Sequence, residues 1–204
     1  MSIPRGSRQD PAADRQVERT KQALRDALLG MMSEVGYERA SVAGIAARAN
    51  VGRSTFYAHF IDKEDLLLHG IEQLRQMLRT FVRPSEAAPC AHAALAFALP
   101  MFLHVGEHLH LAQGLAGHKA EGSVRGHMHR CYRALVVEQL EASTSGNGED
   151  VPFLSHFLVG AFQGTLDAWV ADPDRCDALD LDARFQELGG PVLGRAGFVL
   201  EPSG

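Results

Sequence analysis

The sequence predicts an all-α protein, on three observations. Apolar residues recur at helical spacing along most of the chain, and no segment alternates apolar and polar residues as a half-buried strand does. The interruptions carry helix-ending chemistry, such as Gly36, Pro84 and "ADPDRCD" (Ala171–Asp177). At 204 residues, 46% hydrophobic and 22% charged, the chain can hold a small domain joined to a larger one. Its longest apolar run, Ala93–Leu103, contains Pro100 and is too short to span a bilayer. The polar start (MSIPRGSRQDPAADRQ) has no apolar secretory core, and Cys90, Cys131 and Cys176 are too scattered for a disulfide framework or a zinc pattern. A cytoplasmic protein with no membrane partner is expected.

Taken in order, residues 1–15 hold two prolines and no periodicity, and are expected to form a flexible arm carrying Arg5 and Arg8. The stripe Val17, Leu24, Leu28, Met31 and Val35 predicts a first helix, with Gly36 as its C-terminal cap. Ser41 suits the N-cap of a short helix over Val42–Ala49, and Asn50 tolerates the left-handed conformation of a tight turn. A third helix follows from Arg53 to Phe60. Asp62 caps a fourth, Lys63 to about Val82, which Pro84 ends. Beyond it, helical periodicity covers Ala91–His104, Glu107–Leu115, Val124–Glu141, Pro152–Val170 and Leu181–Leu193, for about nine helices in all. Pro100 is expected to kink the first of these. The predicted organisation is an arm (1–15), a three-helix domain (16–62) and a larger helical domain (63–204).

A net charge of −5 argues against nucleic acid until the chain is divided. Residues 1–83 carry 13 Lys and Arg against 10 Asp and Glu, and residues 84–204 carry 7 against 15. A mildly basic head on an acidic body suits a small DNA reader attached to a body with another task. The third helix has the matching chemistry. At about 100° per residue, Phe56 and Phe60 fall on one side, while Ser54, Thr55 and Ala58 lie opposite, flanked by Tyr57 and His59. A narrow face of small, hydrogen-bonding side chains can approach base edges in a major groove, where Arg grips guanine and Ser or Thr pairs with either partner. Tyr57, His59 and Lys63 sit where phosphates would flank such a helix, and Ser41 opens the preceding one. Short helix, tight turn and short helix make a helix-turn-helix with its second helix reading.

The segment "SVAGIAARANVGRSTFYAHFIDKEDLL" resembles the DNA-binding signature of the TetR/AcrR family of bacterial transcriptional repressors, and the match runs over roughly Val17–Leu68. It includes Gly36-Tyr37, Ile45-Ala46, Thr55-Phe56-Tyr57, His59-Phe60 and Lys63-Glu64. The resemblance implies base contacts from Arg53, Ser54 and Thr55, and phosphate contacts from Ser41, Tyr57, His59 and Lys63. Gly52 stands at the N-cap of the reading helix, where family members often carry a hydroxyl. Asn50 stands where many have Gly, and Ala58 replaces a larger side chain.

"FLVGAFQGTLDAWV" (Phe157–Val170) resembles the family's penultimate helix, which pairs with its mate in a dimeric four-helix bundle; Phe157, Ala161 and Leu166 are then interface candidates. The resemblance implies a homodimeric repressor, released from a palindromic operator when an effector binds the larger domain, with helix 4 carrying the change. Phe97, Met101, Phe102, His104, Gln163 and Trp169 are candidates to line the effector site, which suggests an apolar or aromatic molecule. No catalytic residue, cofactor or resident metal is expected.

Seven of the ten histidines lie between His92 and His129. "HVGEH" (His104–His108) matches H-x-x-E-H, in which two histidines hold zinc and the carboxylate, here Glu107, acts as base. Gly106 lies inside the motif, and no pattern marks a further ligand. A metal-sensing body using His104, His108 and His110, and a helical metallohydrolase, stand as the alternatives. His127 and His129 fall about 200° apart on a helix, unsuited to joint ligation.

Overall fold

The structure, a computed structural model, describes residues 11–81, 91–117, 122–142 and 150–198. Arg5, Arg8, Pro84, Cys90 and most of the expected 143–150 break lie outside them. The chain is all-α, as its periodicity predicts. The helices are α1 (Pro11–Val35), α2 (Val42–Arg48), α3 (Arg53–His59), α4 (Lys63–Phe81), α5 (Ala98–Glu107), α6 (Leu109–Gly117), α7 (Gly122–Ala142), α8 (Val151–Ala171) and α9 (Ala178–Arg195). Short 3-10 turns occupy Ala91–Leu95 and Pro173–Arg175, and no strand occurs among the described residues. No helix in them is long and apolar enough to cross a membrane. Two compact units divide the chain, Met1–Leu67 and Leu68–Gly204.

In the first unit, α1 begins at Pro11, inside the stretch expected to be an irregular arm. Proline's fixed φ suits a first helical turn and Asp14 complements the dipole there, so the helix needs no apolar stripe to start. The helix ends as predicted at Gly36, whose φ of 86° lets its N–H reach the Met32 carbonyl at 3.1 Å. Ser41 caps α2 by accepting from the Gly44 N–H at 3.1 Å. At the other end Asn50 adopts φ 54°. Its N–H donates to the Ala47 carbonyl, and that of Val51 donates to Ala46, the paired bonds of a Schellman cap. The side chains of Leu24, Leu28, Met32, Ile45, Phe56, Phe60 and Leu66 are buried as the core. Asp62 accepts from the Asp65 N–H at 2.8 Å, and the Asp65 carboxylate accepts from the Ile61 N–H at 3.0 Å, so α4 starts with reciprocal caps.

The second unit packs α5, α7, α8 and α9 around an aromatic centre. The Phe162 ring lies 4.8 Å from that of Phe97, 5.1 Å from those of Phe102 and Tyr132, and 5.7 Å from Phe185. Pro100 does not kink a long helix here. The apolar run from Ala93 is broken at Ala96–Phe97, between the 3-10 turn and α5, which leaves Pro100 in the first turn of α5. There the N–H that proline lacks would have had no intrahelical acceptor, so the helix stays regular. Gly189 on α9 is buried, and a Cβ there would come within 2.9 Å of Leu95 Cδ1; the close approach of α9 to the 3-10 turn depends on that missing side chain.

Candidate functional site

Helix α3, the second of the helix-turn-helix, is held from below. Phe56 and Phe60 are buried, with rings 5.9 Å apart, and fix which side of the helix faces out. Arg53, Ser54, Tyr57 and Ala58 are exposed, while Thr55 and His59 are half-buried at the edges. Tyr57 is 52% exposed and its ring stands edge-on to buried Phe56 at 5.5 Å. Gly52 caps the helix with extended backbone (φ −71°, ψ 153°) and, lacking a side chain, leaves the first N–H groups without a side-chain acceptor. The Ser41 oxygen is engaged as the α2 cap, which leaves its O–H to donate elsewhere.

Lys63 has a second task that sequence spacing did not reveal. Its ammonium donates to the carbonyls of Tyr37 at 2.9 Å and Glu38 at 3.1 Å, and lies 4.4 Å above the Tyr37 ring. It thereby ties the start of α4 to the turn before α2, with one donor left over. Burial, followed by the nearby Glu64, Asp62 and Glu38 charges, pushes the Tyr37 phenol up to about 12, so it stays neutral. Arg48 grips Glu34 through two bonds of 2.7 and 2.8 Å, strapping α2 to α1. Those bonds hold the Glu34 carboxyl below its ordinary range. Neither Arg48 nor Glu34 stood out in the sequence, because they lie on different helices and match no local pattern.

The effector candidates separate. Phe97, Met101, Phe102 and Trp169 are buried together, Phe102 lying 6.2 Å from Trp169, whose Nε1 donates to the Cys176 carbonyl at 2.8 Å. Gln163 is directed elsewhere: its Oε1 is 2.8 Å from His129 Nδ1, and the His129 ring stacks on His156 at 5.7 Å. Tyr132 and Phe185 complete the aromatic centre but escaped sequence reasoning, since a buried ring looks the same in any helical stripe.

The interface candidates differ too. Phe157 is 48% exposed, stacks on the 71% exposed Phe153 at 6.4 Å and is followed one turn on by exposed Gly160 and Ala161; Leu166 is half-buried against the unit's own core. On α9, Leu188 is 75% exposed. Among the histidines, one ligand atom each from His104, Glu107 and His108 lies within 4.8 Å of the others, and His110 is outside that group.

Residues 24–69 match the family described as bacterial regulatory proteins, tetR family. A stretch of 67 residues, 32% of the chain, is 34% identical to the uncharacterized HTH-type transcriptional regulator YxbF of Bacillus subtilis (strain 168), and spans 18% of that protein's length. The fold is shared with a TetR transcriptional regulator from Streptococcus agalactiae 2603V, at a TM-score of 0.62 and 24% identity over 88% of this chain and 98% of that one. It is shared equally with the transcriptional regulator FadR from Bacillus subtilis, solved in complex with stearoyl-CoA, at a TM-score of 0.61 and 20% identity over 83% and 97% of the two chains. The helix-turn-helix thus lies inside the segment that matches the tetR family, residues 24–69, and the fold of the described residues is the one shared with TetR regulators.

Proposed function

We propose that the protein is a repressor, which binds a palindromic operator as a homodimer and leaves it when a small apolar or aromatic effector binds. The observation that carries the DNA reading is the outward face of α3. Arg53 and Ser54 head the helix, Tyr57 and Ala58 follow one turn later, and all four are exposed. Arg53, Ser54 and Thr55 contact base edges; Tyr57, His59, Ser41 and the remaining Lys63 donor take phosphates. Two-fold symmetry then sets half-sites about one helical turn apart, roughly 34–36 Å.

Dimerisation is supported by the apolar face of α8, where Phe153, Phe157 and Ala161 lie exposed, and by Leu188 on α9. The effector site is the aromatic centre of the second unit. Among apolar groups an acyl chain is the first to test, offered as its CoA thioester, because the FadR structure that shares this fold holds stearoyl-CoA. Such a ligand shifts the operator equilibrium only by the difference in its affinity for the bound and released states.

The test is selection of bound sequences from a random duplex pool, then anisotropy titrations with the wild type, Arg53→Ala and Tyr57→Ala. A palindrome should be enriched. Arg53→Ala should lose about 1–3 kcal/mol at one base position, and Tyr57→Ala should weaken all sites alike with the salt slope unchanged, since a neutral phenol releases no counterion. If no sequence is enriched even at low salt, the DNA assignment of this face is wrong. Operator release by acyl-CoA, followed by recovery when it is removed, would support the repressor cycle.

A further inference from the structure

We propose that His104, Glu107 and His108 form a site for one divalent transition-metal ion of the zinc, cobalt or nickel kind. The proposal stands on side-chain geometry in the second unit and does not depend on the DNA reading. At about 100° per residue the three residues fall within an arc of roughly 100°, while Val105 points into the core and Gly106 turns towards Trp169. The two imidazole rings are 5.0 Å apart, nearly perpendicular, and each of the three residues presents a ligand atom within 4.8 Å of the others. Tetrahedral zinc with bonds of about 2.0–2.1 Å separates its ligand atoms by roughly 3.3 Å. Glu107 and His108 are exposed, which leaves their side chains room to rotate across the remaining distance. Among the described residues no Lys or Arg forms an ion pair with Glu107 to compete for the carboxylate.

Two imidazoles and a carboxylate suit borderline first-row ions and leave a position for water. The location gives the ion a structural consequence. His108 leaves the helix (φ −120°, ψ 30°), and its carbonyl accepts from the N–H groups of Leu111 at 2.9 Å and Ala112 at 3.2 Å, starting α6. An ion held by His104, Glu107 and His108 therefore fastens the last turn of α5 to the residue from which α6 departs. In this arrangement Glu107 is a third ligand beside the imidazoles, and His110 takes no part.

The experiment is equilibrium dialysis of the untagged full chain against zinc chloride and, separately, cobalt chloride, with metal content per chain and the visible cobalt spectrum as readouts. One ion per chain is expected, with low micromolar affinity and the intense visible bands of four-coordinate cobalt. His108→Ala changes an exposed side chain and should weaken binding at least about tenfold, Glu107→Gln should weaken it in the same direction, and His110→Ala should leave it unchanged. Circular dichroism and the thermal midpoint of each variant without metal separate lost ligation from lost fold. The proposal is overturned if the wild type takes up no cobalt at tens of micromolar, or if His108→Ala binds as tightly as the wild type, which would put the ion on other histidines. Operator binding in metal-free buffer tests the DNA reading separately, so the two can fail independently.

Discussion

Gly52 is the residue at which α3 departs from good capping practice, and its backbone and surroundings leave room for a side chain. Its φ of −71° is open to any residue. A Cβ there would meet only Ser54 Oγ at 3.5 Å and Thr55 Oγ1 at 3.8 Å, both ordinary contacts. Gly52→Ser should therefore add a side-chain cap and stabilise the protein by a few tenths of a kcal/mol, the small margin that separates Gly from Ser at this position. Urea unfolding would read it, and a loss of stability would mean that the backbone at Gly52 needs more freedom than its dihedrals indicate. At this scale the sequence was most legible where chemistry is local. Ser41, Asn50 and Asp62 each act within three residues of their own position, so residue type and neighbours sufficed. Lys63 and Gln163 were read only in part, because their partners lie 26 and 34 residues away and spacing says nothing about such pairs.

Among the elements, α4 and α7 are joined by a small ionic network. Arg75 bonds Glu72 at 2.9 and 3.2 Å and Glu138 at 3.2 Å, and Arg79 reaches the other Glu138 oxygen at 3.1 Å. Bonds from Arg75, and then from Gln76, lower the Glu72 carboxyl below its ordinary 4.5. A carboxyl lowered by folding takes up its proton more readily in the unfolded chain. Its contribution is thus complete above pH 4.5 and fades as pH falls through the lower, folded value. Glu72→Gln should flatten the acid side of the stability curve below about pH 4.5, by no more than a few tenths of a kcal/mol for so exposed a group. An unchanged curve would show that the unfolded chain keeps the same contacts. Helix existence was legible throughout, since each amphipathic stripe declares itself, but helix ends were less so. The run Ala93–Leu103 conceals its break at Ala96–Phe97 because both sides of the break are apolar and buried. Pro11 opens α1 where periodicity had not yet begun.

For the molecule as a whole, the question is what covers the exposed rings of α8. Phe153 and Phe157 stack on each other rather than on their own core, an arrangement that a second copy of the chain would bury. Phe157→Glu should convert the proposed dimer to monomer at micromolar concentration in sedimentation velocity with the fold intact, because this side chain is not part of the core. A dimer that survives it would place the contact elsewhere. The sequence pointed to this face through a family likeness. It could not separate Phe157 and Ala161, which are exposed, from Leu166, which turns inward, because one apolar helix serves two sides at once.

Trp169 is the chain's only tryptophan. Its indole touches the aromatic centre through Phe102, and it lies 3.3 Å from where a Cβ on Gly106 would stand, between His104 and His108. Tryptophan emission therefore reports from the aromatic centre proposed for the effector, across α5 from the proposed metal ligands. Each event carries its own optical signature, a shift in emission when an apolar guest displaces the rings and quenching when a paramagnetic ion settles on the histidines, and neither requires a label.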